Sequence, residues 1–451
     1  MGMLTLSAAA AAVGGTVRGT DVAFARVATD TRTIQPGDLF VALKGERFDG
    51  HHFAQQALDA GAVAVMIAAD SDSSAHPALL VDDTRLALGQ LAAWWRRQMP
   101  ARLVAITGSN GKTTVKEMLA EILRAATAGD AVLATQGNFN NDIGMPLTLL
   151  RLRAQHVYGV IEMGMNHSGE IAYLTRIAGP DVALVNNAGT AHMGMLGSVE
   201  NVARAKGEIF AGLTETGMAV INADDAHAGL WRMLAGKRAV LDFSLNHHAA
   251  VTGSYHATPG GSEVTVHTPI GQLQFKLRVA GEHNVRNALA AITAALALGI
   301  EASAIVIGLS EFAGIPGRLQ YKPALHGATL IDDTYNANPD SAMAALAVLA
   351  SSPGKKILVL GDMGELGEDA AALHAEIGRA ARVAQVDQLL ALGEMSAAAV
   401  RAFGAGAMHF ERIEELLAEL ENRLDAGVTV LVKGSRFMRM ERVVKSFEVK
   451  H

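Results

Sequence analysis

The segment TGSNGKTT, residues 107–114, follows the largely apolar run 102–106 and precedes VKEMLAEILRAA, the place where a strand turns into a helix. Gly108 and Gly111 permit the close backbone approach that lets several N–H groups, including those around Ser109 and Asn110, point at one phosphate. Lys112 adds a point charge, and the hydroxyl of Thr113, followed by Thr114, suits a Mg2+ shell at the helix N-terminus. The general pattern GxxxxGK[ST] wants a further glycine five residues before the second one, and that position is Ile106. The loop therefore reads as a shortened nucleotide cradle, with an ordinary Gly-rich turn as the alternative.

Other candidate residues stand at the ends of predicted strands. Glu162 ends YGVIEMG, and His192 follows ALVNNAGTAHMG. In a doubly wound sheet the carboxyl ends of the strands open into the ligand crevice, so both are placed to converge with a metal on the phosphate loop. A single histidine at such a place is more often plain surface or core. Lys206, in VARAKGEIF, lies on a predicted helix with Glu208 close by, and residue type alone reads it as a solvated lysine. GEHNVRNALAA places Asn284 and Asn287 three apart in a first helical turn. Asn284 reads as a cap, whereas Asn287, already inside the helix, needs a ligand such as a purine edge. IDDTYNANPDS, residues 331–341, ends a strand and starts a helix at Pro339. Asp332 and Asp333 suit ribose hydroxyls there, and Asn336 and Asn338 a polar substrate; an Asx turn is the alternative.

The elements that must position these groups follow from pattern. A chain of 451 residues, half of them apolar, is long enough for about three domains. Residues 1–82 read as a small mixed α/β domain: a first helix over the alanine-rich start, which lacks the basic flank of an export signal, then a strand near DVAFARVATD, a turn at QPGDLFVAL, a helix over HFAQQALDAGA and the strand VAVMIA. A helix with Trp94 and Trp95 leads to Pro100, a predicted hinge. Residues 83–318 alternate short apolar strands with helices, which predicts a doubly wound, mostly parallel sheet, extended over 250–279 by an antiparallel meander. AGIPGR, residues 313–318, reads as a second linker, and 319–451 repeat the β/α alternation as a Rossmann-like domain.

Lys plus Arg total 38 against 45 for Asp plus Glu, a net charge of -7 with no basic run, which argues against nucleic acid. There are no cysteines, excluding disulfides and thiolate metal sites and fitting a reducing cytoplasm. The longest apolar run, ALAAITAALALGI, is too short to span a bilayer as a helix.

Taken together, these stretches resemble the ATP-dependent Mur ligases of peptidoglycan synthesis over nearly the whole chain. DTR at 30–32 with PGDLFVALKGERFDGHHFAQQALDAGA resembles the UDP-binding first domain of that family, and TGSNGKTT is similar to the family's own phosphate loop, which accounts for Ile106. GNFNNDIGMPLTLL, IEMGMNHSGEI, NNAGTAHMGMLGS, DDTYNANPDS and GDMGELG resemble the branch that adds D-alanyl-D-alanine. MGMLGS lacks the aromatic of the family pattern, and no DNPR-type signature of the diaminopimelate-adding branch is present. The resemblance implies ligation of D-Ala-D-Ala to UDP-N-acetylmuramoyl-tripeptide with ATP and two Mg2+ ions, by a cytoplasmic monomer. It implies a catalytic set of Lys112, Glu162, His192 and Lys206, with Thr113 on one metal and Glu162, His192 and a carbamylated Lys206 around the other. It places Asn287, Arg318 and Asp333 on the base, phosphates and ribose of ATP. It assigns the other substrates to Thr31, Arg32, Lys44 and Asp49 of the first domain, Asn138 and Asn141 of the central one, and Tyr335, Asn336, Asn338, Ser435 and Arg436 of the third.

Overall fold

The computed structural model describes residues 2–46, 48–127, 129–190, 193–258 and 260–449, with only the backbone of Met193. The central sheet has nine strands. Its order runs Gly271–Leu277, Gly261–Thr268, Val251–Thr258, Ala239–Ser244, Met218–Asn222, Val182–Val185, Arg102–Thr107, Tyr158–Glu162 and Val132–Ala134. The strands from Val132–Ala134 to Ala239–Ser244 pair in parallel, and Val251–Thr258, Gly261–Thr268 and Gly271–Leu277 form the expected antiparallel meander. Strands covered by helices on both faces read as continuous apolar runs, and 103–106 and 182–185 are indeed buried throughout. Register then decides the site: Ile106 lies opposite both Glu162 and Leu184, so Glu162 stands beside the mouth of the phosphate loop.

The helix Lys112–Ala126 leaves that loop and turns Val115, Met118, Leu119, Ile122 and Leu123 inward, the i, i+3, i+4, i+7, i+8 stripe of an amphipathic helix. Helices Glu282–Ala297 and Ala302–Glu311 pack against it.

The N-terminal sheet orders Thr16–Arg18, Ala78–Val81, Ala64–Ala68, Asp38–Val41 and Arg26–Ala28. Two expectations need correction there. QPGDLFVAL turns only at Pro36 and Gly37 and continues as the strand Asp38–Val41, whose four residues are all buried and so show no alternation. The first and central domains share one apolar core that runs from Leu6 through Trp95 to Ala235. The helix Thr84–Arg97 is part of it, and Trp95 Nε1 donates to Leu152 O at 3.0 Å. Pro100 therefore adjoins a packed interface rather than a free hinge.

The C-terminal sheet orders Gln320–Pro323, Thr329–Asp333, Val428–Lys433, Lys355–Gly361, Gln388–Leu392 and Ala407–Phe410, antiparallel only at its first pair. Its apolar clusters are largely its own, and residues 313–318 connect it to the central domain. Among the described residues no helix is long and apolar enough to cross a membrane.

Candidate active site

A crevice of about 1380 Å³ opens between the central and C-terminal domains and is floored by Ser109 to Thr114 of the phosphate loop. Gly111 has φ +79°, and a Cβ there would meet Asn186 Nδ2 at 2.6 Å and overlap Asn287 Oδ1, so only glycine fits. Lys112 Nζ donates to Gly108 O at 2.6 Å, folding back over the loop. Removal from water pulls its ammonium below the ordinary lysine range; Glu162 opposes that shift and Arg318 adds to it.

Two asparagines unnoticed in the sequence hold the loop. Asn187 Oδ1 accepts from Asn110 N–H at 2.8 Å, and Asn186 and Asn187 both donate to Asn110 O at 3.0 Å. They end the Val182–Val185 strand, and the signal was legible: two adjacent amides leaving a buried strand beside the loop.

Glu162 is buried, 3% exposed, with Oε1 accepting from Asn140 Nδ2 at 2.8 Å and Oε2 unpartnered among the described residues. A buried carboxylate oxygen left bare is costly unless a cation meets it. Mg2+ is commonly held by one or two carboxylates plus substrate phosphates, and the bare Glu162 oxygen and the Thr113 hydroxyl, both lining the crevice, are oxygen donors of the kind that such an ion takes. Among the described residues no three His, Cys, Asp or Glu converge as a metal cage. His192 lies outside the described residues.

Lys206 corrects the solvated reading. It is 1% exposed on the helix Val199–Gly207, beside the buried Val202, Ala203 and Ala205. Burial, with the nearby Lys112 charge, pulls its ammonium well below the ordinary lysine range. Glu208 does not pair with it: that carboxylate accepts from Ser168 Oγ and the N–H groups of Gly169 and Ala172, capping the helix Glu170–Ala178.

Asn284 does not cap its helix, because Gly281 is the N-cap; its amide donates to Ala280 O at 2.8 Å and its Oδ1 accepts from Asn287. Asn287 is not bare as expected, since its Oδ1 accepts from Asn186 at 2.9 Å, yet it lines the crevice. Arg318 Nη2 donates to Thr113 Oγ1 at 3.1 Å while its guanidinium stacks 4.3 Å from the Tyr335 ring, with Arg436 at 5.9 Å from the same ring. Asp333 faces the crevice and takes Lys433 Nζ at 2.5 Å, a partner the sequence did not suggest. Asp332, one step along the strand, points away into Thr334 and Lys322 and is no ribose ligand. His283 also lines the crevice; loss of hydration lowers its pKa to about 4, with Asp333 opposing the shift and Lys433 and Arg286 reinforcing it.

From the C-terminal domain, Asn338 Nδ2 donates to Asn110 Oδ1 at 2.9 Å, and Asp340 Oδ2 accepts from Thr190 N–H at 2.8 Å and its hydroxyl at 3.0 Å. The third domain thus rests directly on the phosphate loop. Asn336 Oδ1 accepts from Arg436 N–H, and both line the crevice. Ser435 is buried, its hydroxyl donating to Ala337 O and accepting from Gly364 N–H; it ties three loops together rather than offering a free group. Asn138 and Asn141 line the central side, where Asn141 Oδ1 also accepts from Gly144 N–H.

Thr31, Arg32, Lys44 and Asp49 are not among the residues lining the crevice. They occupy loops beyond the parallel strands Arg26–Ala28 and Asp38–Val41, on one edge of the N-terminal sheet. Arg32 pairs with Asp30, and Asp49 with His51 and, at 3.9 Å, Lys44.

Comparison with known proteins fits this three-part arrangement. Residues 106–295 match the Mur ligase middle domain, 317–436 the Mur ligase, glutamate ligase domain, and 23–96 the Mur ligase family, catalytic domain. A curated relative from Escherichia coli (strain K12), named UDP-N-acetylmuramoyl-tripeptide--D-alanyl-D-alanine ligase, is 45% identical over 449 residues, covering 99% of this chain and 98% of its own. The chain belongs to the Mur ligase family. Among solved Mur ligases, a crystal structure of MurF from Acinetobacter baumannii superposes with a TM-score of 0.92 at 38% identity, covering 98% of both chains. MurF from Thermotoga maritima, solved in complex with ADP, gives 0.84 at 30% identity, covering 93% of this chain and 96% of that one.

Proposed function

We propose that this Mur ligase adds D-alanyl-D-alanine to UDP-N-acetylmuramoyl-tripeptide at the expense of ATP, through an acyl phosphate, in peptidoglycan precursor synthesis. The similarity to enzymes named for that reaction supports the substrates. The observation that carries the mechanism is the seat of Asn338 and Asp340 on the phosphate-loop side. That seat supports a mechanism in which an amine bound on the C-terminal domain meets a carboxylate lying at the γ-phosphate.

In the first step a carboxylate oxygen attacks the γ-phosphorus, the bond to the bridging oxygen breaks and ADP leaves. In the second the dipeptide nitrogen attacks the acyl carbon, loses a proton and expels phosphate. A carboxylate is a poor acyl donor, so phosphorylation supplies the leaving group. Lys112 is placed to swing from Gly108 O onto the phosphoryl oxygens, and the loop N–H groups neutralise charge beside it. Thr113, with the nucleotide phosphates, and Glu162, His192 and a Lys206 carbamate would hold divalent metal, which would supply charge neutralisation at the transferring group. The buried Lys206 amine, whose charged form desolvation disfavours, suits attack on CO2 to give that carbamate and a proton. Arg318, Asn287 and Asp333 hold the nucleotide, the first-domain loops around Thr31, Arg32, Lys44 and Asp49 hold the UDP moiety, and closure of residues 319–451 on 83–318 excludes water from the acyl phosphate. We take the protein to work as a cytoplasmic monomer.

Offered UDP-N-acetylmuramoyl-tripeptide and ATP, the purified protein is expected to release phosphate rapidly only when D-Ala-D-Ala is added. Diaminopimelate, lysine and glutamate are the comparison acceptors. Release driven equally by any of these, or hydrolysis indifferent to every acceptor, would contradict the assignment.

A further inference from the structure

Glu162 is braced from two directions. Its backbone N–H donates to Thr135 Oγ1 at 3.0 Å, and Thr135 O in turn accepts from the buried Lys116 at 2.6 Å. Its side chain is held by Asn140, whose side-chain amide donates to Oε1 and whose backbone carbonyl accepts from Gly164 N–H at 2.9 Å. Asn140 lies in the loop after the strand Val132–Ala134, whereas Glu162 ends the strand Tyr158–Glu162, so these bonds join two separate segments at the site. Gly164 must stay bare for them to form, because a Cβ there would lie 2.9 Å from Asn140 Oδ1 and 3.2 Å from Nδ2. The amide bonds Oε1, and Oε2 is left buried and unpartnered among the described residues.

We propose that Asn140 is a positioning residue for the metal site: its amide occupies one oxygen of Glu162 and turns the other towards the cation, fixing the carboxylate as a one-oxygen ligand. This rests on the reading of Glu162 as a metal ligand. Partners that orient a ligating carboxylate change metal affinity without touching the metal, typically by about 10–100-fold.

The test is uptake of Mn2+ by the full chain loaded with a non-hydrolysable ATP analogue, followed by electron paramagnetic resonance. The quantity read is the affinity for the second Mn2+, beyond the one the analogue carries. Asn140→Ala removes the amide, and Asn140→Leu removes the donor at nearly constant volume. Both are expected to weaken the second Mn2+ by about 10–100-fold, with melting temperature and analogue affinity near those of the parent. A merely structural role would shift melting and leave the Mn2+ affinity of the folded protein alone. Parental affinity in Asn140→Leu overturns the proposal even if Asn140→Ala fails to fold. Glu162→Gln separates the two readings: if it too leaves the second Mn2+ unchanged, the assignment of Glu162 has failed, whatever Asn140 does.

Discussion

Lys112→Ala is expected to lower ATP-dependent ligation by about 10²–10³-fold or more, while the protein folds and melts as before. The charge it removes is the loop's own cation, and no neighbour replaces it: Arg318 is engaged by Thr113 and the Tyr335 ring, and Lys206 is buried with its ammonium disfavoured. Phosphoryl transfer depends almost wholly on positioning and charge neutralisation, so losing a preorganised cation should fall on kcat. The fold should be indifferent, because the lysine contributes hydrogen bonds to Gly108 O and Ser109 O and no core packing. ADP formation measured beside a melting curve checks both halves. A stable variant with normal turnover would remove Lys112 from the mechanism.

The second large effect concerns Lys206→Ala, expected to cost about 100-fold in activity and to be partly restored by formate or acetate. A carbamate is an anion built on a neutral amine, and burial beside Lys112 disfavours the competing ammonium. Truncation leaves space where a small carboxylate can sit. Full activity without added anion would return Lys206 to an ordinary buried side chain. Lost activity that no anion restores would make its part structural.

The phosphate loop and Glu162 were legible in the sequence because strand, glycines and helix follow one another locally, and strand ends in a parallel sheet share one edge. Lys206 was misread although its signal was present: it falls four residues after Val202 and three after Ala203, on the stripe that the helix buries. Asp332 and Asp333 were inseparable, since alternation tells that two neighbours face opposite sides without telling which side holds the crevice. The Asn284 cap failed by a shift in helix start, Gly281 having taken the N-cap position. Asn140, Asn187 and Lys433 act across 22, 77 and 100 residues of chain, and no local pattern reports a bond that only tertiary folding makes. The hinge near Pro100 was predicted from composition, but composition does not reveal that the Thr84–Arg97 helix belongs to a core shared by two domains.

The central claim is that the nucleotide activates a carboxylate for amide formation. It is tested most directly with UDP-N-acetylmuramoyl-tripeptide carrying oxygen-18 in its terminal carboxylate, turned over with ATP and D-Ala-D-Ala. Attack of that carboxylate on the γ-phosphorus, followed by expulsion of phosphate from the acyl carbon, carries one labelled oxygen into each phosphate released. Mass spectrometry should find the label in inorganic phosphate in step with amide formed; unlabelled phosphate accompanying the same product would contradict the account.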